Sequence, residues 1–189
     1  MAATEPIRDK KVLRKLANYW LKKKNFRNYT LIVLGAYTAL RPSDLLRLTW
    51  DDVYDIEREA FRSHITLIEK KTGKQKKIAL NHQAVAALKL WFPHKRGDYI
   101  FASNRKNGKA ISRVQAWRII QAAAQAIGEI GRIALYSLRK TAGYHAWKAG
   151  VSPVVLMDIY NHSSYTATRR YLGVSQDDRD EVHLSLALF

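Results

Sequence analysis

Apolar positions along the chain change period several times, and each change predicts an element. Residues 9–24 carry Val12, Leu13, Leu16, Ala17, Trp20 and Leu21 at helical spacing, with lysines on the opposite face. Residues 27–40 read as a second, largely buried helix. Pro42 stands where a third helix starts, since a missing N–H goes unnoticed at the first helical position, and Leu45, Leu46 and Leu48 form its apolar face. Over residues 62–80 the period drops to two. Ile65 and Leu67 alternate with His64, Thr66 and Ile68, a glycine turn follows at Lys71-Thr72-Gly73-Lys74, and Lys77-Ile78-Ala79-Leu80 returns, predicting a β-hairpin with a basic tip. Asn81 caps a helix reaching Trp91, and Tyr99-Ile100-Phe101 reads as a short third strand. Ser112 caps a helix through Ala126. Further helices are expected over residues 138–148, over 153–160 with Ser152-Pro153 as its start signal, and near 167–171. Residues 1–8 read as a disordered tail. Residues 175–189 read as a C-terminal tail or helix, with Val182, Leu184, Leu186 and Leu188, too short to stand alone and expected to dock on its own or a neighbouring subunit. The fold class that follows is mainly α with a small antiparallel β-sheet (α+β), in one domain spanning residues 1–189.

Composition narrows the function. A chain of 189 residues that is 47% hydrophobic can bury one real core. It has no cysteine, which excludes disulfides, cysteine zinc sites and thiol catalysis. No apolar run reaches membrane-spanning length, and the N-terminus lacks the apolar stretch of a signal peptide, so a cytoplasmic, nucleoid-associated protein is expected. The net charge of +17 calls for a polyanionic partner. Nucleic acid fits better than an anionic membrane, because no segment joins a basic face to a bulky apolar one at its end.

Three segments carry the chemistry. They are Thr38-Ala39-Leu40-Arg41-Pro42-Ser43-Asp44-Leu45-Leu46-Arg47, then Tyr136-Ser137-Leu138-Arg139-Lys140-Thr141, and finally Asn161-His162-Ser163-Ser164 leading to Arg169-Arg170-Tyr171, with the tyrosine nine positions after the histidine. The lysine-rich hairpin tip falls between the first two. In order and spacing this set resembles the tyrosine recombinase (phage integrase) family, in its short, catalytic-domain-only form. The resemblance runs from about residue 9 to the C-terminus and leaves no room for the separate N-terminal core-binding domain of larger relatives. It implies a site-specific recombinase that cuts and rejoins double-stranded DNA through a covalent 3′-phosphotyrosyl intermediate, with no cofactor and no metal.

The resemblance assigns Arg41 and Arg139 as the phosphate-binding arginines, Lys71 as general acid, His162 as a further donor to the phosphate, and Tyr171 as nucleophile. The chemistry suits these residue types. In-line attack on a phosphodiester builds negative charge on the nonbridging oxygens, and fixed cationic donors stabilise it; losing one such donor costs roughly 3–4 kcal/mol. Arginine is planar, bidentate and permanently charged. A lysine on a hairpin tip can reach the leaving 5′ oxygen, and its pKa can be lowered by an arginine and by burial. Asp44 matches the family's acidic residue after the first arginine and is expected to orient an arginine or lysine. Tyr136 departs from the family, which usually has histidine there; a phenol with a pKa near 10 is a poor base at pH 7, although it can orient a phosphate. Lys22, Lys23, Lys24, Lys70, Lys74, Lys76, Lys77 and Lys140 are candidate DNA contacts, which position a protein on the duplex without specifying sequence. His64, His82, His94, His145 and His183 show no metal-ligand spacing. The chain also lacks the glycine-rich loop that cradles nucleotide phosphates, consistent with a covalent intermediate that conserves the phosphodiester bond's energy. The resemblance further implies a monomer when free, a tetramer assembled on DNA, and accessory DNA-binding proteins. Two other readings share these residues: a DNA-binding architectural protein of recombinase stock without catalysis, and a type IB topoisomerase-like relaxing enzyme.

Overall fold

The structure is a computed structural model that describes residues 4–104, 108–129 and 133–186, apart from the side chains of Asp177 and Val182. Helix α1 (Lys10–Lys22) is capped by Asp9, whose carboxylate accepts from the Lys11 N–H at 2.6 Å. It turns Leu16 and Ala17 inward and leaves Lys22, Lys23 and Lys24 exposed. Helix α2 (Phe26–Thr38) is the central element, packed against α1, α4 (His82–Trp91) and α6 (Leu135–Lys148). Its continuous burial of Leu31, Ile32 and Leu34 is what a helix with neighbours on most sides requires. Gly35 lets α2 and α6 approach: a Cβ at that position would lie 2.8 Å from Leu138 Cδ1. That approach sets Arg139, one residue further along α6, beside the C-terminal end of α2.

The short helix α3 (Pro42–Leu46) begins at Pro42, as its sequence predicts. Two small antiparallel hairpins follow rather than one: β1 (Tyr54–Asp55) with β2 (Ala60–Phe61), and β3 (His64–Ile68) with β4 (Gln75–Ala79). In the second, Ile65 pairs with Ile78 and Leu67 with Lys76. The first hairpin escaped the sequence pattern because two-residue strands are too short to show alternation. Its ring pairs Tyr54–Phe61 and Tyr54–Phe92 supply the packing that periodicity would otherwise have signalled. The third strand expected at Tyr99-Ile100-Phe101 is instead an isolated bridge, Thr49 to Tyr99, with the Ile100 N–H donating to the Leu48 carbonyl at 2.9 Å. Ile100 and Phe101 are apolar because they are buried, not because they join a sheet.

Helices α5 (Arg113–Ala126), α7 (Pro153–Tyr160), α8 (Tyr165–Leu172) and α9 (Gln176–Ser185) complete the described chain. Ser112, Ser152, Ser164 and Ser175 cap them in turn. Helix α6 starts at Leu135, three residues before its expected start, because Ser137 Oγ accepts from the Ala134 N–H at 3.1 Å.

Residues 4–8, expected as a disordered tail, lie along α6 instead. The Ile7 N–H donates to Thr141 Oγ1 at 2.9 Å, and Ile7 itself is buried. Arg8 Nη2 donates to the Gly173 carbonyl at 2.7 Å. A single apolar residue in a polar stretch gives no periodic signal, so only tertiary contacts reveal this docking; residues 1–3 lie outside the described residues. At the other end α9 is tied to α6 by Lys148, 3.3 Å from Asp178 and 2.8 Å from Glu181, while Leu184 and Leu186 face outward. Leu188 lies outside the described residues. Among the described residues no helix is long and apolar enough to cross a membrane, and no group of three His, Asp or Glu could hold a metal ion.

Candidate active site

Arg41, Arg139 and the segment bearing His162 and Tyr171 are far apart in sequence and come together around Tyr160, the arginines at its main-chain carbonyl and the other two against its ring. Helix α7 ends there because Asn161 adopts a left-handed conformation, φ 53°, which sends the chain back toward α6. The freed Tyr160 carbonyl accepts from Arg41 Nη2 at 3.3 Å and from Arg139 Nη2 at 3.0 Å. Arg139 Nη1 donates to the Ala39 carbonyl at the end of α2. Arg139 is fully buried and Arg41 nearly so. These guanidinium groups stay charged when buried, and the Nη donors named here are met by carbonyls, while Arg139 Nε is buried without a hydrogen-bond partner among the described residues.

An aromatic cluster holds this pair. The Arg139 guanidinium lies 4.7 Å from the Tyr160 ring centre and 5.4 Å from that of Tyr171. It is also within hydrogen-bonding reach of the Tyr171 phenol. The His162 ring stacks on Tyr160 at 5.2 Å and meets Tyr171 edge-on at 4.6 Å. Tyr160 is buried, and its hydroxyl donates to the Arg139 carbonyl at 2.8 Å. It fits because residue 143 of α6 is glycine: a Cβ there would fall 2.1 Å from the Tyr160 hydroxyl oxygen.

His162 Nδ1 lies 2.9 Å from the buried Thr168 hydroxyl. Burial and the charges of Arg139, Arg41, Lys71 and Lys76 lower the imidazole pKa to about 4, so the ring is neutral at pH 7. A neutral ring that accepts from the Thr168 hydroxyl at Nδ1 carries its proton on Nε2, where a substrate oxygen can take the hydrogen bond.

The hairpin reaches the same place from the other side. Alternation along β3 turns Ile65, Leu67 and then Glu69 inward, and Lys76 faces inward opposite Leu67. Glu69 Oε2 lies 2.6 Å from Arg41 Nη1 and accepts from Asn161 Nδ2 at 2.7 Å and from Thr72 Oγ1 at 2.8 Å. Lys76 Nζ stands 3.7 Å from Glu69 Oε1 and donates to the Ile159 carbonyl. Burial pushes the Glu69 carboxyl up, but Asn161, Thr72, Arg41 and Lys76 outweigh it and hold it at about 2. Burial, then the neighbouring charge of Arg139, lowers the Lys76 ammonium to about 8. Asp44 is fully buried, accepts from the Lys70 main-chain N–H at 3.0 Å and lies 3.4 Å from Arg47 Nε, so it ties the hairpin's main chain to α3 and pairs with an arginine, Arg47.

Lys71 lies at the exposed hairpin tip, close enough for its charge to act on His162. Lys70, Lys74 and Lys77 are exposed beside it, as backbone contacts would need, whereas Lys76 points into the cluster. Lys140 is half-buried, donates to the Thr4 carbonyl, and lies 5.6 Å from the Tyr171 ring centre. Tyr136 is exposed on the first turn of α6, three residues before Arg139, and stands apart from the ring cluster. Glu69, Thr168 and Tyr160 are site residues that the motifs did not single out. For Glu69 a signal existed: a charged residue on the apolar phase of a strand.

The chain matches the family model described as the phage integrase family over residues 8–177. It is 36% identical over 178 residues to a probable integrase/recombinase, YoeC, of Bacillus subtilis (strain 168), covering 94% of this chain and 93% of that protein. It is 29% identical to tyrosine recombinase XerD of Mycobacterium leprae (strain TN), covering 82% of this chain but 51% of XerD, so it spans about half that relative's length. In fold it is similar to the crystal structure of XerA recombinase, with a TM-score of 0.77 at 20% identity over 97% of this chain and 64% of that one. It is likewise similar to a lambda integrase dimer bound to a COC′ core site, with a TM-score of 0.71 at 20% identity over 95% of this chain and 50% of that one. A match across nearly all of the sequence, joined to the convergence on the Tyr160 carbonyl, means that this chain belongs to the phage integrase family of tyrosine recombinases.

Proposed function

We propose that this chain is a site-specific DNA recombinase in which Tyr171 is the nucleophile. The observation that carries the reading is the packing of Tyr171 against Arg139 and His162, with Arg41 bonded to the same carbonyl as Arg139. Tyr171 swings off the Arg139 face and admits a phosphodiester to the two guanidinium groups. The Tyr171 oxygen gives up its proton to water and attacks phosphorus, forming a bond to the 3′ phosphate as the bond to the 5′ oxygen breaks. Lys71 gives that leaving oxygen its proton. Arg41, Arg139 and the Nε2–H of His162 stabilise the charge that builds on the nonbridging oxygens. Attack by a 5′ hydroxyl of another strand reverses the steps, frees Tyr171 and returns the proton. No external energy source is needed, because one phosphate ester replaces another.

Double-stranded DNA is the substrate, and the basic faces of α1 and the hairpin tip follow its backbone. Exchange joins two duplexes, so four copies act together on DNA while the free chain is a monomer. The outward Leu184 and Leu186 of α9 are the side chains through which neighbours would interlock. The test uses a nicked suicide duplex carrying a site recovered from a random-sequence pool by binding selection. The wild-type chain traps a covalent DNA complex, and Tyr171→Phe binds the duplex but traps none. Trapping by the phenylalanine variant would reassign the nucleophile.

A further inference from the structure

Among the described residues Glu69 is the one buried carboxylate facing a cluster of cations, and neither the motifs nor the mechanism above gives it a task. The three partners of its Oε2 come from three different parts of the chain. Arg41 stands at the start of α3, Thr72 in the hairpin turn, and Asn161 in the left-handed turn after α7. Each is a residue assigned to the chemistry or the immediate neighbour of one: Arg41 itself, Thr72 next to Lys71, and Asn161 next to His162. The carboxylate also carries the only negative charge described here among Arg41, Arg139 and Lys76.

Main-chain bonds make the anchor rigid. The Glu69 N–H donates to the Lys74 carbonyl at 2.9 Å, and the Gly73 N–H donates to the Glu69 carbonyl at 2.9 Å. The turn carrying Lys71 is thus closed on Glu69 by its main chain, while the side chain of Glu69 holds the other two segments. A shift of Glu69 would move Arg41, Lys71 and His162 relative to one another.

We propose that Glu69 is a positioning residue for the recombination reaction: its carboxylate fixes Arg41, the hairpin turn bearing Lys71 and the turn bearing His162 in one geometry, and balances their charge before DNA arrives. This rests on the function proposed above. Without the carboxylate Arg41 loses its anchor and Lys76 its counter-charge, so the donors no longer converge on the reacting phosphate. Positioning errors of this kind slow chemistry with little effect on binding, since most phosphate contacts lie elsewhere.

The test compares wild type, Glu69→Gln and Asn161→Ala on the nicked suicide duplex. Three quantities are read: the single-turnover rate of covalent trapping at saturating duplex, the Kd for that duplex, and the melting temperature. The expected result for Glu69→Gln is trapping slower by on the order of 10²-fold, with Kd unchanged and the chain folded at the assay temperature. Asn161→Ala, which cuts one of the three ties, should slow trapping less. Wild-type trapping by Glu69→Gln overturns the proposal. So does faster trapping with tighter binding, which would mean that the carboxylate competes with the phosphate, and so does a parallel loss of binding and folding. A wild-type chain that traps nothing overturns the recombinase reading itself, a distinct outcome. A second measurement needs no DNA: in selectively labelled protein the Lys76 ammonium should titrate at lower pH in Glu69→Gln than in wild type. An unmoved Lys76 would show that the carboxylate does not act on it.

Discussion

Replacing Gly143 with alanine tests whether Tyr160 is the floor on which the site is built. In an ordinary helix interior the change would stabilise by about 1 kcal/mol, because glycine loses more backbone freedom on folding. Here the new Cβ would fall 2.1 Å from the Tyr160 hydroxyl oxygen and 2.7 Å from both Cε2 and Cζ of its ring. Real Cβ atoms do not approach so closely, and Tyr160 is fully buried in an interior packed as densely as protein cores are. Overpacking of this kind costs roughly 1–3 kcal/mol, and displacing the Tyr160 hydroxyl from the Arg139 carbonyl, 2.8 Å away, adds about 1 kcal/mol. After the helix-propensity gain, a net loss of about 1–3 kcal/mol remains, which lowers Tm by roughly 2–12 °C in a chain of this size. The same displacement tilts the surface beneath Arg139 and His162, so covalent trapping should fall more than DNA binding. Calorimetric melts and trapping on the suicide duplex measure the two effects. Adding Tyr160→Phe to Gly143→Ala removes the closest clash and should recover part of the lost Tm. An alanine variant that melts higher than wild type and traps DNA normally would refute the packing argument.

Two further perturbations separate roles within the cluster. If Lys71 protonates the leaving 5′ oxygen, trapping by Lys71→Ala should be restored on a duplex with sulfur in place of that oxygen, because a thiolate leaves without a proton; Lys76→Ala, if slow, should not be restored. Rescue of the Lys76 variant instead would move the general-acid role to the buried lysine. For His162, the folded pKa of about 4 lies below the ordinary 6.5, so the unfolded chain binds the proton more readily. Stability is therefore fully present above pH 6.5 and is lost as the pH falls toward 4. Chemical denaturation should show a shallower loss for His162→Gln across that window, with His145, also lowered by burial, supplying part of what remains. Glu69, at about 2 against 4.5, contributes a loss only below pH 4.5, so a His162→Gln slope identical to wild type between pH 6.5 and 4.5 would overturn the assignment.

Much of this molecule could be read from its sequence. The caps at Asn81, Ser112 and Ser152 and the proline at residue 42 marked helix starts because they act on the nearest turn. The spacing of Arg41, Arg139, His162 and Tyr171 was visible as a pattern, although nothing in it measured how they meet. The docking of residues 4–8 was hidden, since it depends on Thr141, His145 and Gly173, more than a hundred positions away. Glu69 was hidden in another way. Strand alternation placed it inward, but only the fold shows that Arg41, Thr72 and Asn161 wait there to receive a charge.

The sequence by itself determined what is local or cumulative. It set the helices and the hairpin, through periodicity and caps, and it set the excess of positive charge and the spacing of the residues proposed to react. Only the tertiary structure decided which lysine enters the cluster and which stays at the tip. The reason is physical: Lys71 and Lys76 are the same residue type in the same hairpin, and what separates them is burial against Ile159, Glu69 and two arginines drawn from distant segments. Burial and counter-charge belong to the assembled fold, and no residue carries them alone.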